Sequence, residues 1–237
     1  PSIKFHNTKY LIYTELSERF VIVKSSKKNE NDIPQVVVQR IPVYIRILKE
    51  ELNYGNHVIN SQTLGKRLQI TSAQIRKDLS YFGKFGKQGQ GYSTEFLIKE
   101  LKTVMGLHKK WNSCIVGTGR LGQAIINYPG FTPEGFKIVA AFDSNSTNLN
   151  LTHEINFIPV LGMEQLSKTI IDKSINVAIV SVPATDAQNV IDLLVLEGIK
   201  GILNYAPISP KVPEDVVIRN IDPILSLQSM AFYLKKL

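Results

Sequence analysis

The chain has 237 residues, of which 43% are hydrophobic and 20% charged, a composition typical of a folded protein with one or two domains. It has no run of 18 apolar residues, no apolar leader and no second cysteine, so we expect a cytoplasmic protein without a membrane span, a secretory signal, a disulfide or a metal. The net charge of +8 is concentrated in the first half, since residues 1–111 hold 19 Lys and Arg against 9 Asp and Glu. This excess predicts that the first half binds nucleic acid, and a basic solubilising surface is the alternative.

The chain begins with a segment that has no clear pattern, residues 1–33, which we treat as an extension. From Pro34 onward, apolar residues recur at spacings of three and four and predict a helix. Pro42 is expected to kink this helix or to restart it, because proline cannot donate the helical hydrogen bond. The apolar positions are Val37, Ile41, Ile45, Leu48 and Leu52.

Two short helices and a glycine-rich segment come next. We expect Ser61 to cap the first helix and the second to run from a turn at residues 70–72 to Phe82. Two short helices joined by a turn predict a helix-turn-helix, and the four glycines of residues 83–92 predict a β-hairpin wing. The predicted domain is therefore a winged-helix DNA-binding domain at residues 34–92, followed at residues 93–111 by a connecting helix that runs to about His108.

The polar face of the second short helix and the wing are the predicted DNA contacts. Arg and Gln side chains can read guanine and adenine edges, whereas Lys more often binds phosphate. Which residue does which stays open, and a solvated basic face is the alternative for each of them. The predicted DNA-binding residues are Ser72, Gln74, Arg76, Lys77, Ser80, Tyr81, Lys84 and Lys87.

From residue 112 onward, strand and helix patterns alternate, which predicts a parallel sheet with helices on both faces. We assign residues 112–220 to this Rossmann-like α/β domain. Strands are predicted at 112–117, 137–142, 176–182, 200–204 and 215–220, and helices at 120–128, 163–171, 184–197 and 223–235.

A dinucleotide-binding fingerprint opens this domain, in the order strand, glycine turn, helix, strand and acid. Gly117 allows the tight turn, Gly119 allows the backbone to approach a pyrophosphate, and Gly122 allows the helix to pack on the strand. Asp143 closes the next strand, where a carboxylate can accept the ribose 2′-OH of NAD and repel the 2′-phosphate of NADP. A simple turn role for Asp143 is the alternative. The predicted cofactor residues here are Gly117, Thr118, Gly119, Arg120, Leu121, Gly122, Asp143, Ser181, Val182 and Pro183.

The sequence carries no pattern of catalytic residues. A dehydrogenase needs a substrate domain and a general acid or base, but His153 lies in a predicted loop and no Ser/His/Asp set is evident. We therefore expect no catalytic residue. An NAD-dependent oxidoreductase, and a winged-helix regulator that senses another nucleotide such as a CoA derivative, remain as alternatives.

The C-terminal segment, residues 221–237, contains a helix that is apolar on most sides. Such a helix must be buried, either in its own core or against a partner subunit, and we favour the partner. The apolar residues are Ile224, Leu225, Leu227, Met230, Ala231, Phe232 and Leu234.

From about Pro34 to Leu234 the chain resembles the Rex family of bacterial redox-sensing transcriptional repressors. The resemblance rests on several motifs in order as well as on the glycine fingerprint. These motifs are residues 42–48 (PVYIRIL), 74–83 (QIRKDLSYFG), 85–92 (FGKQGQGY), 127–131 (NYPGF) and 201–207 (GILNYAP).

The resemblance implies a homodimer that exchanges C-terminal helices and binds a palindromic operator when NADH is scarce, leaving it when NADH rises. It also implies a network of Arg46, Tyr128 and Asp222 that links the nicotinamide site to the DNA-binding domain, with Tyr128 in the cofactor site. Family members often carry an apolar or aromatic residue directly after the aspartate, whereas this chain has Pro223.

Overall fold

The structure is a computed structural model that describes residues 33–86, 90–144 and 154–235. The chain forms two compact units, residues 1–98 and 99–237. Apart from Ile33, the predicted extension lies outside the described residues. No helix in these described ranges is long and apolar enough to cross a membrane.

Unit 1 has a core of three helices. They are α1 (Gln35–Asn53), α2 (Ser61–Leu68) and α3 (Ser72–Ser80), with the short strand β1 (Val58–Ile59) before α2 and β2 (Tyr92–Ser93) after α3. The buried apolar side chains include those of Ile41, Leu48, Leu64, Ile75 and Leu79. The predicted helix-turn-helix is thus present as α2 and α3.

Several predicted boundaries of these elements were wrong by a few residues. Helix α1 continues through Pro42 and does not restart there, because an apolar face packs on both sides of the proline. The cap of α2 is Asn60 and not Ser61, since the Asn60 side chain accepts the backbone N–H of Thr63 at 2.8 Å. Helix α3 ends at Ser80, two residues before Phe82.

The predicted hairpin wing falls partly outside the described residues. Strand β2 pairs antiparallel with β1, and the described residues 83–86 contain no strand. Gly86 and Gly91 lie close together, because a Cβ on Gly86 would lie 2.6 Å from the carbonyl oxygen of Gly91. Residues 87–89, which include the predicted DNA contact Lys87, lie outside the described part.

Helix α4 (Thr94–Val104) spans the division between the units. The predicted connecting helix was four residues too long, because turns follow Val104 in place of a further helical turn to His108. Leu97 and Leu101, four residues apart, are fully buried.

Unit 2 is built on one seven-stranded sheet with the order β5-β6-β4-β3-β7-β8-β9. All neighbouring strands are parallel except β5 and β6, which form a hairpin. The strands are β3 (Trp111–Val116), β4 (Phe136–Phe142), β5 (Glu154–Ile155), β6 (Ile158–Leu161), β7 (Val177–Val180), β8 (Gly201–Asn204) and β9 (Val217–Asn220).

Helices cover both faces of this sheet, as the alternating pattern predicted. Buried residues of α6 (Leu166–Asp172) and α7 (Ala184–Leu196) belong to the core on one face, and those of α5 (Arg120–Asn127) to the core on the other. The first strand, β3, lies in the middle of the sheet. The chain extends the sheet through β4 and β6 on one side and returns to place β7 on the other side, so the carboxyl ends of β3 and β7 form the switch point at which such sheets bind ligands.

The β5–β6 hairpin was missed in the sequence analysis. Its two-residue turn places Asn156 and Phe157 at φ +52° and +63°, a left-handed conformation in which glycine is the residue expected at the second position. Pro159 in the middle of β6 also argues against a strand.

The C-terminal helix α8 (Pro223–Leu234) contains no buried residue. Asp222 caps it, with Oδ1 accepting the backbone N–H of Ile224 at 2.9 Å. Its large apolar side chains are 51–69% exposed. The fold of one chain therefore leaves an apolar helix without a core.

A buried carboxylate joins α3 to α1. Asp78 is fully buried and accepts hydrogen bonds from Arg40, Tyr44 and Gln74, a group that we call the Asp78 cluster. Burial alone would raise the pKa of Asp78, but these hydrogen bonds and the Arg40 charge lower it further than burial raises it. The pKa of Asp78 therefore lies below its ordinary value, and burial raises that of Tyr44 well above its own.

Because the folded pKa of Asp78 is depressed, its stabilising contribution should be present above about pH 4 and lost as the pH falls through the folded pKa. We expect Asp78→Asn to lower the free energy of unfolding at pH 7 by about 3 kcal/mol, and the difference from the wild type to narrow towards pH 2.5. Thermal and denaturant unfolding of the full chain across this pH range measures both.

Asp215→Asn is the matched control, because Asp215 also has a lowered pKa but its bond to Lys200 is exposed to solvent. It should change stability much less than Asp78→Asn. An Asp78→Asn effect of the same size at every pH would contradict the ionised state of Asp78.

Candidate functional site

The glycine turn between β3 and α5 is shaped by close backbone contacts. Gly117 has φ +96°, and a Cβ there would lie 2.6 Å from the carbonyl oxygen of Ser181. A Cβ on Gly122 would lie 2.0 Å from the carbonyl oxygen of Gly117. Both positions therefore require glycine, for the turn and for the packing of α5 on β3, as predicted.

Gly119 differs from these two glycines, because a Cβ there would meet no atom within 4 Å. Gly119 is the N-cap of α5 and makes no side-chain cap. The space beside it thus opens onto the N-terminal end of the helix, where unpaired backbone N–H groups and the helix dipole favour an anion. The fold does not require glycine here, so the open space fits the predicted role of receiving a pyrophosphate.

Asp143 follows β4 and is bound to the same turn. Its Oδ2 accepts two hydrogen bonds from Thr118, from the backbone N–H and from Oγ1, both at 2.7 Å. The alternative role of Asp143 in the turn is therefore real. These bonds also fix the carboxylate beside the first turn of α5.

Residues that follow β7 complete this edge of the sheet. The Ser181 hydroxyl donates to the carbonyl oxygen of Gly117 at 2.8 Å, and a Cβ on Gly117 would lie 3.0 Å from a methyl group of Val182. Pro183 is the N-cap of α7. The predicted cofactor residues from both sides of the switch point are thus brought together, and Arg120 and Leu121 are exposed on the first turn of α5.

Tyr128 lies elsewhere. It follows the C-terminal end of α5, and a helix of eight residues is about 12 Å long, so Tyr128 is not brought to the glycine turn of its own chain. Its exposed ring packs edge-on against Phe131, with the ring centres 5.6 Å apart. Both residues border a cavity of about 840 Å³ near the amino ends of β3, β4 and β6, at the opposite edge of the sheet from the glycine turn.

The other two members of the predicted network belong to different units. Arg46 is exposed on α1 in unit 1, and the Asp222 carboxylate caps α8 in unit 2. Within the described ranges, no hydrogen bond joins Tyr128 to Asp222 in the same chain.

The predicted DNA-binding face divides into exposed and half-buried residues. Arg76, Lys77, Ser80 and Lys84 are exposed, and Ser72, Gln74 and Tyr81 are half-buried. Thr71 caps α3, because its Oγ1 accepts the backbone N–H of Gln74 at 3.1 Å. The basic side chains of α3 therefore project from a helix that begins at a fixed residue.

Arg76 also links the two helices of the helix-turn-helix. Its Nη1 donates to the hydroxyl of Ser61, the first residue of α2, at 3.0 Å. On the same turn of α3, the Ser80 hydroxyl donates to the Lys77 carbonyl oxygen at 2.7 Å. Ser80 is thus already bonded within its own helix.

The Asp78 cluster was not predicted from the sequence. Asp78 stands three residues after Ile75 on the apolar face of α3, so an acid at a core position was the available signal. Its main partners, Arg40 and Tyr44, precede it by 38 and 34 residues, which no local pattern reveals.

The described residues hold no group of three or more His, Cys, Asp or Glu side chains that could bind a metal ion. Cys114 is buried in β3, and burial raises the pKa of its thiol to about 12. Such a thiol is unreactive at neutral pH, so it is a poor redox sensor.

Family models match both halves of the chain. Residues 32–80 match a family described as DNA-binding protein N-terminus, and residues 108–208 match a family described as CoA binding domain.

Curated relatives match most of the chain. The redox-sensing transcriptional repressor Rex of Chloroflexus aurantiacus is 48% identical over 203 residues, which cover 86% of this chain and 95% of the relative. The Rex repressor of Roseiflexus sp. is 43% identical and covers 86% of this chain and 91% of its own.

Solved structures agree with these relatives. RSP in complex with beta-NAD+ and operator DNA has a TM-score of 0.81 and 37% identity, covering 86% of this chain and 93% of its own. RSP in complex with beta-NADH has a TM-score of 0.78 and 35% identity, covering 86% and 95%. Because these likenesses extend over both units, the chain belongs to the Rex family of redox-sensing transcriptional repressors.

Proposed function

We propose that the chain binds palindromic operator DNA as a cytoplasmic homodimer and leaves the DNA when NADH occupies unit 2. The observation that carries the proposal is the open space at Gly119, at the N-terminus of α5, in a chain whose other unit is a helix-turn-helix. A solved relative was crystallised with beta-NAD+ and operator DNA, and also with beta-NADH. The chain is a repressor and not an oxidoreductase.

The pyrophosphate of the cofactor binds in the space at Gly119. The backbone N–H groups of Arg120 and Leu121, on the first turn of α5, are the donors there, and the positive end of the helix dipole adds to the attraction. Ser181 and Val182 border the site from the β7 side, and Pro183 begins α7 beside them.

Asp143 makes the site selective for NAD(H). Its carboxylate accepts the adenosine ribose 2′-OH, and its charge repels the 2′-phosphate of NADP(H). Thr118 fixes the orientation of this carboxylate, so the turn role and the ribose role belong to the same residue.

The oxidation state of the cofactor changes the charge of its nicotinamide ring, which is positive in NAD⁺ and neutral in NADH. A partly buried site favours the neutral ring, because a buried charge loses more hydration. NADH shifts the dimer towards the form that does not bind DNA because NADH binds that form more tightly. Each tenfold difference in the affinity of NADH for the two forms shifts their equilibrium by about 1.4 kcal/mol.

DNA binding belongs to α3 and the wing. Arg76 and Lys77 face the major groove, and the wing lysines Lys84 and Lys87 contact phosphates or the minor groove. Two copies of α3 about 34 Å apart match successive major grooves, so only a dimer of one particular geometry reads a palindrome.

Helix α8 holds the dimer together. It is apolar on most sides and exposed along its whole length in one chain, which is the situation of a helix that is buried against a second copy. We infer that the two copies exchange these helices, so that α8 of each copy packs against the other copy.

Arg46, Tyr128 and Asp222 couple the two ligands. In one chain Asp222 caps α8 through Oδ1, so Oδ2 is the oxygen that would accept from Arg46 or Tyr128 in this network. Pro223 occupies the first position of α8, where a proline stabilises the start of a helix, and it stands where family members often carry an apolar or aromatic residue near the nicotinamide.

Binding of a CoA derivative is the second candidate, because residues 108–208 match a CoA-binding family. Both ligands carry a pyrophosphate, so the space at Gly119 does not distinguish them. Asp143 favours the dinucleotide, because CoA carries a phosphate on its ribose that the carboxylate would repel.

The first test measures operator binding with each nucleotide. We expect NADH to release the chain from a selected palindromic duplex, NAD⁺ to weaken the complex little, and CoA or acetyl-CoA to have no effect. Fluorescence anisotropy of a labelled duplex at one fixed salt concentration measures this. Equal effects of NADH and NAD⁺ would exclude redox sensing, and release by acetyl-CoA alone would favour the second candidate.

The second test uses two glycines of the same turn. Gly119→Ala should leave the free energy of unfolding within about 1 kcal/mol of the wild type, because the methyl group meets no protein atom. It should weaken NADH binding at least tenfold, because the methyl group occupies the pyrophosphate space. Calorimetric titration and denaturant unfolding measure the two effects.

Gly122→Ala is its matched control. It should destabilise the fold by about 2 kcal/mol or more, because the methyl group would collide with the Gly117 backbone. Wild-type NADH affinity in Gly119→Ala would remove the glycine turn from the cofactor site.

The third test concerns α8. Leu227→Glu and Met230→Glu should convert the dimer to monomers, because a carboxylate would be buried in the contact. Gln228→Glu, on the same helix but at a polar position, should leave the dimer intact. Sedimentation velocity at micromolar concentration distinguishes the species, and dimers of both apolar-site variants would contradict the role of α8.

A further inference from the structure

Four hydrogen bonds converge on one carboxylate of α3. Arg40 donates to Asp78 through Nε at 2.7 Å and through Nη2 at 2.8 Å, Tyr44 donates through its hydroxyl at 2.5 Å, and Gln74 donates through its amide at 2.6 Å. Asp78 itself is fully buried. The donors come from α1 and from the first turn of α3, so the cluster joins these helices at one point.

The geometry of these bonds is more restrictive than apolar packing. A guanidinium that binds both oxygens of a carboxylate must lie in its plane, and the Tyr44 hydroxyl adds a third direction. Apolar contacts such as those of Ile75 and Leu79 allow one helix to slide or rotate slightly against another. The paired hydrogen bonds between Arg40 and Asp78 do not. The rotation of α3 about its own axis is therefore fixed relative to α1.

Gln74 belongs to this cluster through its side chain. It precedes Asp78 by one helical turn, and its amide nitrogen donates to Oδ1 of Asp78, which directs the amide towards α1. An adenine contact of the usual bidentate kind needs the amide to turn outwards and present both its oxygen and its nitrogen. That rotation would remove a donor from a buried carboxylate, which is unfavourable.

We propose that Asp78 and Gln74 are positioning residues for DNA recognition, and that Gln74, although it lies on the predicted DNA-binding face, does not read a base. The cluster sets the angle at which α3 presents its exposed side chains, and base reading belongs to residues such as Arg76 that are outside the cluster. This inference rests on the proposed function, because it assumes that α3 enters the major groove.

The test uses the full-length chain without nucleotide. The wild type selects a preferred duplex from a pool of randomised palindromes, and the dissociation constants for this duplex and for each single-base-pair variant give its base preferences. Gln74→Ala should weaken binding to all of these duplexes by a similar factor, about three- to tenfold, and leave the order of base preferences unchanged. Arg76→Ala, at an exposed position on the same helix, should flatten the preference at one or more base pairs.

Asp78→Asn separates positioning from stability. At a temperature where circular dichroism shows the variant to be fully folded, its affinity for the selected duplex should fall while its affinity for an unrelated duplex stays close to that of the wild type. A role in stability alone would leave both affinities unchanged in the folded protein.

Two outcomes would overturn the inference. Loss of preference at a single base pair in Gln74→Ala, with the other preferences intact, would make Gln74 a base-reading residue. Unchanged selectivity in folded Asp78→Asn would remove the positioning role of the cluster. If the wild-type chain selected no duplex, the proposed DNA binding itself would be wrong. This result is distinguishable from the two outcomes above, in which the wild type does select a duplex.

Discussion

The close packing of three backbone segments at the carboxyl ends of β3 and β7 is the constraint on which the nucleotide site depends. Gly117 and Gly122 have no room for a side chain, because the carbonyl oxygens of Ser181 and Gly117 occupy it. This contact brings the start of α5 against the sheet and leaves the space at Gly119 open. The open space is thus a consequence of where α5 begins, and Asp143, to which we assign the selectivity of the proposed site, is held in place by the same turn.

In unit 1 a side chain, and not the backbone, holds the functional helix in place. There a buried carboxylate, and not a backbone contact, fixes the helix that carries the functional side chains. Arg40 and Tyr44 lie one turn apart on α1, and both donate hydrogen bonds to Asp78. The orientation of α3 therefore depends on the position of α1. Arg46 lies on the same helix, less than two turns after Arg40. A displacement of α1 would therefore act on the orientation of α3 through these bonds, which suits the coupling of two ligands that we propose.

The sequence predicts those features whose cause is local. The glycine turn, the alternation of strands and helices and the helix-turn-helix follow from spacing and from residue type, and the structure contains them. The β5–β6 hairpin was missed because Phe157 and Pro159 are poor residues for its turn and strand, and only pairing with β4 makes β6 part of the sheet. The cap at Asn60 was missed by one residue, since Ser61 is equally suited by type. The Asp78 cluster depends on partners far away in the chain, and the surroundings that we propose for α8 depend on a second molecule.

The exposed apolar surface of α8 has a consequence for regulation in the cell. If α8 is buried only when two copies meet, as we propose, the concentration of dimer rises with the square of the chain concentration when copies are scarce, and the fraction of chains in dimers rises in proportion to it. The amount of protein synthesised would then act as a second input beside the coenzyme. Small changes in expression near the dissociation constant of the pair would alter operator occupancy more steeply than they alter protein abundance.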